Sequence, residues 1–356
     1  METSMETLRV GIVGAAGYTG AELVRVIASH PRLSLQWVGG HTTAGQTLSE
    51  VLPSLIGIPG LEDLELERFD EAEVAELASR LDVVFTALPH ATSARVGAAF
   101  YRQGVQVVDL SADYRLSDRA VYEQWYGPHP EADLLESARY GLVEWHRSEL
   151  SGARLIAAPG CYPTGAVLAL GPLLQAGLIE PEGIIIDSKS GVSGAGRKAS
   201  ESSHLPECAE GIRPYKVAGT HRHTPEIEQE LARIAGQPVQ VVFTPQLAPI
   251  SRGILTCAYG RGRGTSAADC REAARKAYQR GLVSVLPEGR VPDTLWVRGS
   301  ARAIVAYEVD ERTGVVLALS AIDNLAKGAS AQAVQALNVS RDWPEELGLP
   351  LIAQFP

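Results

Sequence analysis

Leu8-Arg9-Val10-Gly11-Ile12-Val13-Gly14-Ala15-Ala16-Gly17-Tyr18-Thr19-Gly20 is the stretch that decides the fold. Leu8 to Val13 is a short apolar run that stops at glycines, the pattern of a buried strand. Gly11, Gly14, Gly17 and Gly20 recur at every third position, and Ala21-Glu22-Leu23-Val24-Arg25-Val26-Ile27 follows with helical spacing. Strand, glycine turn and helix, in that order, form the context of a dinucleotide site. Gly14 and Gly17 would let the backbone approach a pyrophosphate, with the helix N-terminus facing its charge. The spacing is G-x-x-G-x-x-G rather than G-x-G-x-x-G, and the plain alternative is a tight turn without a ligand.

The strands that follow extend this reading. Leu33 to Val38 is a second apolar run. A site that prefers NAD carries an acidic residue about 20 residues after the glycines. Here Gly39-Gly40-His41-Thr42-Thr43 stands there, with no carboxylate to repel a 2′-phosphate, so NADP is favoured. Glu62 to Arg68 alternates as an exposed strand would, and Asp70 to Arg80 reads as an acidic, solvated helix. Leu81 to Pro89 is a buried strand running into a loop, where Ala87 to His90 either contacts a cofactor or lets His90 cap the helix Thr92 to Phe100. Val105 to Leu110 leads into Ser111-Ala112-Asp113-Tyr114-Arg115. Ser111 and Arg115 suit an oxyanion, or Arg115 pairs with Asp109 or Asp113 to hold the loop. Tyr122 to Trp145 reads as an irregular excursion between domains, and Leu155 to Ala158 as a last short strand.

Cys161 follows, in Ala157-Ala158-Pro159-Gly160-Cys161-Tyr162-Pro163-Thr164. Proline and glycine stop the preceding element, and Thr164 is suited to cap a helix from Ala166 onward. A thiol at a helix N-terminus is shifted toward the thiolate. The plain alternative is a buried structural cysteine. The four cysteines are far apart and form no C-x-x-C, which points to neither metal nor disulfide and to a reducing cytoplasm.

Beyond the cysteine the pattern changes to clustered strands. Gly183 to Lys189 leads into Ser190-Gly191-Val192-Ser193-Gly194-Ala195-Gly196-Arg197-Lys198, small residues ending in two cations, suited to an anion or a nicotinamide. Thr220-His221-Arg222-His223-Thr224-Pro225 precedes a helix that Thr224 would cap; an extended segment would point both histidines the same way. No third metal ligand stands at a sensible spacing. Val239 to Pro245 and Gly253 to Tyr259 read as antiparallel strands about a bend. Ser266 to Arg280 is an amphipathic helix, Leu282 to Leu286 a strand, and Ala303 to Val309 with Thr313 to Ile322 a hairpin. These elements make a second, α+β domain. Asp323 to Ser330 opens a final helix, with Lys327 and Gly328 a second phosphate site or a plain helix start.

Composition sets outer limits. The 356 residues suffice for two domains, and a net charge of −10 argues against nucleic acid and anionic membrane as partners. The polar, acidic Met1 to Thr7, with its repeated Met-Glu-Thr, has no signal-peptide pattern. No run reaches the roughly 18 apolar residues of a membrane helix.

Taken together, the chain resembles the N-acetyl-gamma-glutamyl-phosphate reductase family, whose wider relatives are aspartate-semialdehyde dehydrogenase and glyceraldehyde-3-phosphate dehydrogenase. The likeness runs from about Leu8 to the C-terminus. It is carried by Gly14 to Leu23, Asp109 to Arg115, Ala158 to Thr164, Ser190 to Arg197, His221 to Glu226 and Asp323 to Ala329. The resemblance implies an α/β protein: a Rossmann-type doubly wound parallel sheet plus an α+β catalytic domain of the semialdehyde dehydrogenase type. The implied domains are 1–160 for NADP, 161–323 for catalysis and dimerisation, and 324–356 as a helix returning to the first. Cys161 is the implied nucleophile, His221 the acid/base, and Ser111, Arg115, Arg197 and His223 the substrate contacts. Gly14, Ala15, Ala16, Gly17, Tyr18, Thr19, Gly20, His41, Thr42, Ser193, Gly194, Asn324, Lys327 and Gly328 are the implied cofactor set. The implied activity is NADPH-dependent reduction of an acyl phosphate through a cysteine thioester, in arginine biosynthesis, by a cytoplasmic homo-dimer or homo-tetramer. The alternatives are the aminoadipate homologue of lysine biosynthesis and a non-catalytic NADP-binding redox sensor.

Overall fold

The structure, a computed structural model, describes residues 7–197 and 204–355. The chain divides into two compact units: Met1–Pro159 with Ser330–Leu349, and Gly160–Ala329 with Pro350–Pro356.

The first unit is built on a seven-stranded parallel sheet of β1 (Leu8–Val13), β2 (Leu33–Gly40), β3 (Leu66–Arg68), β4 (Val83–Thr86), β5 (Gln106–Asp109), β6 (Ala138–Tyr140) and β7 (Leu155–Ala157). The spatial order is β3-β2-β1-β4-β5-β7-β6. The chain reverses direction across the sheet between β1 and β4, the switch point where this architecture opens a crevice. The strands are apolar runs because helices cover both faces. Val84, Val107, Leu155 and Phe100 are among the residues of one buried cluster. The expected strand from Glu62 shrinks to Leu66–Arg68. Tyr122 to Trp145 is not an irregular excursion: helices Arg119–Tyr126 and Val143–Leu150 flank β6, which pairs with β7 at the sheet edge. The helix Ala331–Ser340 belongs to this unit, where Ser340 Oγ accepts from Gln106 Nε2 at 2.7 Å.

The second unit carries a seven-stranded mixed sheet of β8 (Ile184–Gly191), β9 (Arg213–Pro214), β10 (Val241–Ala248), β11 (Ile254–Arg261), β12 (Val283–Val285), β13 (Ala303–Asp310) and β14 (Val315–Ile322), in the order β12-β13-β14-β11-β8-β10-β9. β13 and β14 form the expected antiparallel hairpin. β10 and β11 do not pair with each other. β8 lies between them, parallel to β10 and antiparallel to β11. Along β8 buried and open positions alternate, so one face is covered and the other carries Ile185, Asp187 and Lys189. The helix Cys161–Gln175 packs on the covered face, where Ser320 Oγ donates to Gly165 O at 2.8 Å. A Cβ on Gly165 would come to 3.0 Å from Thr256 Oγ1 and 3.2 Å from Ser320 Oγ, so a larger residue there would push the two hydroxyls aside, and glycine lets helix and sheet approach closely. The helix Ala267–Ala277 starts where Ser266 and Asp269 form a capping box.

Candidate active site

Cys161 is the first residue of its helix. Gly160, in extended conformation, is the N-cap and brings no side chain to it. Thr164 is not the cap: it lies inside the first turn, and its hydroxyl donates to Gly160 O at 2.9 Å. Pro163 is tolerated there because a first-turn residue needs no intrahelical N–H bond. The amides of this helix end keep their positive potential for an anion. Gly160 N–H is tied elsewhere, donating to Glu226 Oε1 at 2.8 Å, and Glu226 is buried. One carboxylate therefore holds the start of the cysteine helix to the first turn of the helix Thr224–Ala235.

The histidine pair precedes that second helix. Its N-cap is His223 rather than Thr224, and Thr224 is the first helical residue. The segment is turned, not extended: His223 N–H donates to His221 Nδ1 at 3.0 Å, and the rings stand 4.9 Å apart. Tyr162, the residue after the cysteine, sets its ring edge-on to His221 at 5.5 Å and to His223 at 5.9 Å. Tyr215 closes the group, donating to the Tyr162 hydroxyl at 3.1 Å. Burial, with His223 and Lys216 nearby, depresses the His221 pKa to about 3. Burial raises both phenols, Tyr215 to about 12, and a charge on Cys161 would raise each further. Cys161 is partly exposed, whereas burial pushes the Cys257 and Cys270 thiols up.

A polar frame supports the other side of the cysteine. A Cβ on Gly328 would lie 2.9 Å from Cys161 Cβ, so glycine is required there. Gly328 N–H donates to Asp323 O at 2.8 Å. The Asp323 carboxylate takes two bonds from Arg252 at 2.9 Å each and accepts the amides of Gly299, Leu325 and Ala326. Asn324 accepts Gly253 N–H at 2.7 Å and donates to Ser193 Oγ at 2.9 Å. Lys327 is wholly buried, and Gly194 and Arg197 are exposed. Lys198 lies outside the described residues.

The first unit holds a cleft of about 380 Å³ at the carboxyl ends of β1, β2 and β4, lined by Gly14, Ala16, Gly17, His41, Thr42 and Leu88 among others. Gly14 has φ +94, and a Cβ there would collide with Ala87 O. Gly17 is the N-cap of the helix Tyr18–Ala28 with no side-chain cap, and its Cβ would meet only Gly14 O, at 3.7 Å. An open cradle over uncapped amides fits a dinucleotide pyrophosphate. Gly20 serves packing instead, since a Cβ there would strike the Gly14 carbonyl. Ala15 is buried, and Thr19 O accepts from Ser330 Oγ at 2.8 Å. None of the described residues lining the cleft is acidic.

The loop after β5 is knit tightly. Asp109 accepts hydroxyls from Thr86, Ser93 and Ser111, while Asp113 accepts Ala91 and Ala94 N–H and Tyr122 OH. Asp113 thus reaches the open start of the helix Thr92–Arg102, whose N-cap is Ala91, not His90. Arg115 is buried and donates to Ala158 O and Leu110 O at 2.7 Å each. Sequence reasoning gave no role to Tyr215, Phe243, Arg252 or Phe69. No local pattern marks them, because their neighbours come from distant strands and loops.

Comparison with known proteins agrees with this architecture. Residues 9–153 match the semialdehyde dehydrogenase NAD binding domain, and residues 161–324 the semialdehyde dehydrogenase dimerisation domain. Aspartate semialdehyde dehydrogenase II of Vibrio cholerae superposes with TM-score 0.71 at 16% identity, over 94% of this chain and 98% of that one. The Candida albicans enzyme, solved with NADP, gives 0.67 at 15%, over 94% of this chain and 99% of that one. N-acetyl-gamma-glutamyl-phosphate reductase of Citrifermentans bemidjiense is 47% identical over 98% of this chain and all of its own length. That of Geobacter sulfurreducens is 48% identical over the same shares. With identity this high along both chains, the protein belongs to the N-acetyl-gamma-glutamyl-phosphate reductase family.

Proposed function

We propose that this chain reduces N-acetyl-gamma-glutamyl phosphate to N-acetyl-glutamate semialdehyde with NADPH and releases phosphate, a step of arginine biosynthesis. The observation that carries the reading is Cys161 at an uncapped helix start, held by Gly160 and Glu226 beside a histidine pair. The Cys161 sulfur attacks the acyl carbon, the bond to the phosphate oxygen breaks, and phosphate leaves with that electron pair. The nicotinamide, when bound, supplies a hydride to the thioester carbon. The histidine pair meets the charge on the carbonyl oxygen, and the sulfur recovers its electron pair as the aldehyde leaves. Released phosphate takes its proton from water.

Gly14 to Thr19, with His41 and Thr42, are proposed to hold the adenine-nucleotide half of NADP. Ser193, Gly194, Asn324, Lys327 and Gly328 are proposed for the nicotinamide half. Arg115, Arg197 and His223 are assigned to the anionic groups of the substrate, whereas the single Ser111 hydroxyl proton is already given to Asp109 and holds the loop. The two carbonyls on Arg115 pre-set its fork, which lowers the entropy lost on binding. A homo-dimer through the open face of the second sheet, where Ile185 and Val242 are exposed, accounts for apolar surface on that side. No described helix is long and apolar enough to cross a membrane, and four cysteines with no disulfide among them suit a reducing cytoplasm.

The test supplies N-acetyl-glutamate semialdehyde, NADP and phosphate and follows NADPH absorbance. Phosphate-dependent turnover that Cys161→Ser abolishes is expected. Absence of turnover overturns the reading in favour of a non-catalytic NADP-binding protein. A parallel assay on the substrate one methylene longer compares kcat/KM, where a methylene is worth about 1–3 kcal/mol.

A further inference from the structure

Three histidines of this chain share one local arrangement. The residue two positions on turns its backbone N–H onto Nδ1: Arg32 onto His30 at 3.1 Å, Glu131 onto His129 at 3.0 Å, and His223 onto His221 at 3.0 Å. A backbone amide can only donate, so Nδ1 is the acceptor in each, and the neutral ring carries its proton on Nε2. In His30 and His129 that proton already has an acceptor. His30 Nε2 faces Asn338 Oδ1 at 3.1 Å, and His129 Nε2 faces Asp113 O at 2.6 Å. Asn338 Nδ2 donates to Glu345 O and Leu347 O, which identifies its Oδ1 as the acceptor.

His221 differs from both. Its Nδ1 is engaged in the same way, but its Nε2 has no hydrogen-bond acceptor among the described residues. The ring is 7% exposed and walled by the edges of Tyr162, Tyr215 and Phe243, at 5.5, 5.5 and 5.3 Å. The charged neighbours that bear on it are His223 and Lys216, and both oppose a second proton. Cys161 bears on the same two phenols.

We propose that His221 is a fixed, neutral hydrogen-bond donor that presents Nε2–H to the substrate carbonyl oxygen, and that it is not the base for Cys161. The inference rests on the reductase reading above and divides the acid/base role that the resemblance implied. To accept a proton at Nε2 the ring must first lose the one it carries there and take one at Nδ1. The His223 N–H already points at Nδ1 from 3.0 Å, so two N–H groups would then face each other. An imidazolium meets the same clash, and burial among three aromatic rings adds a desolvation cost. The Cys161 proton therefore leaves to water before attack. The carbon–sulfur bond forms, the carbon–oxygen bond to phosphate breaks, and the Nε2 proton stays on His221. It strengthens its bond to the carbonyl oxygen as charge grows there, a role open to a neutral imidazole.

Two measurements on the full-length protein decide this. The first is 15N correlation spectroscopy of histidine-labelled protein between about pH 5 and 8. One ring, whose signals vanish in His221→Gln, should show the Nε2–H pattern and not titrate in that window. An Nδ1–H pattern, or titration within the window, overturns the proposal. The second is the pH dependence of Cys161 alkylation by iodoacetamide, read on its own peptide, in wild type, His221→Gln and His221→Phe. The midpoint should be the same in all three. Turnover should fall at least about tenfold less in the glutamine variant, whose amide replaces the donor, than in the phenylalanine variant. A midpoint raised by about one unit in both variants identifies His221 as the base of the thiol and overturns the proposal. Equal turnover losses overturn it too. A wild type without turnover defeats the reductase reading instead, and the spectra still judge the state of His221.

Discussion

The glycine turn of the first unit and the cysteine site of the second solve different problems with different materials. The turn is made of backbone: Gly14 is set against Ala87 O, and Gly17 is left open over uncapped amides. The cysteine site is made of side chains, with Tyr162, Tyr215 and His221 packed on one another and Glu226 holding the backbone amide just before a partly exposed thiol. A diphosphate is large and uniformly charged, so a row of amides suffices to bind it. A reacting carbonyl changes charge at one atom, so its donor must be aimed and kept dry. The comparison predicts that damage to the turn shows first in binding, and damage to the cysteine site first in turnover.

The largest effect is expected at Cys161. Cys161→Ser should lower kcat by at least about 10⁴-fold while NADP still binds in a fluorescence titration. Loss of NADP affinity in that variant would break the division between the regions. Next come the two glycines. Gly14→Ala places a Cβ against Ala87 O at a positive φ and should cost about 3 kcal/mol of stability in denaturant melts. Gly17→Ala makes only ordinary contact, with Gly14 O at 3.7 Å, and should leave the melt unchanged, yet weaken NADP binding about tenfold or more. Equal stability of the two variants would show that the turn is not strained as described.

Acid should weaken both regions through histidines. His30 in the first unit and His221 in the second have depressed folded pKa values, each mainly through burial. The unfolded chain then binds protons that the fold refuses. This stability is full above about pH 6.5, the unfolded value, and is lost as pH falls toward the folded values. For His221, at about 3, the loss between pH 7 and 5 amounts to about 2 kcal/mol. Melts of His221→Gln and of His30→Gln should each fall less steeply over this range than wild type. An unchanged slope would contradict the neutral ring. The smallest effect is at Glu226. Glu226→Gln keeps an oxygen for Gly160 N–H and should cost about threefold or less in kcat, whereas Glu226→Ala orphans that buried donor and should cost about tenfold.

Much of the first unit was legible because its signals are local. Leu8–Val13, the glycines and the helix after them are contiguous, and the period of apolar residues tells strand from helix. The last hairpin was legible for the same reason. The spacing of β10 and β11 predicts a pair, but β8 claims the place between them, and no local pattern in the sequence shows that Ile184–Gly191, far earlier in the chain, does so. Thr164 has the residue type of a cap but lies inside the first turn, because this helix starts from a residue without a side chain and a distant carboxylate takes the N-cap amide.

By itself the sequence determined the strand–turn–helix opening, the two-part α/β architecture and the candidates Cys161, His221 and the glycines, since each follows from residue type and spacing along a short stretch. Only the tertiary structure decided which nitrogen of His221 takes a backbone amide, that Tyr215 and Phe243 wall the ring, and that Asp323 and Arg252 brace the loop behind Cys161. Those features depend on groups brought together from far apart in the chain, and a hydrogen bond's direction is set by the atoms that meet, not by the letters beside them.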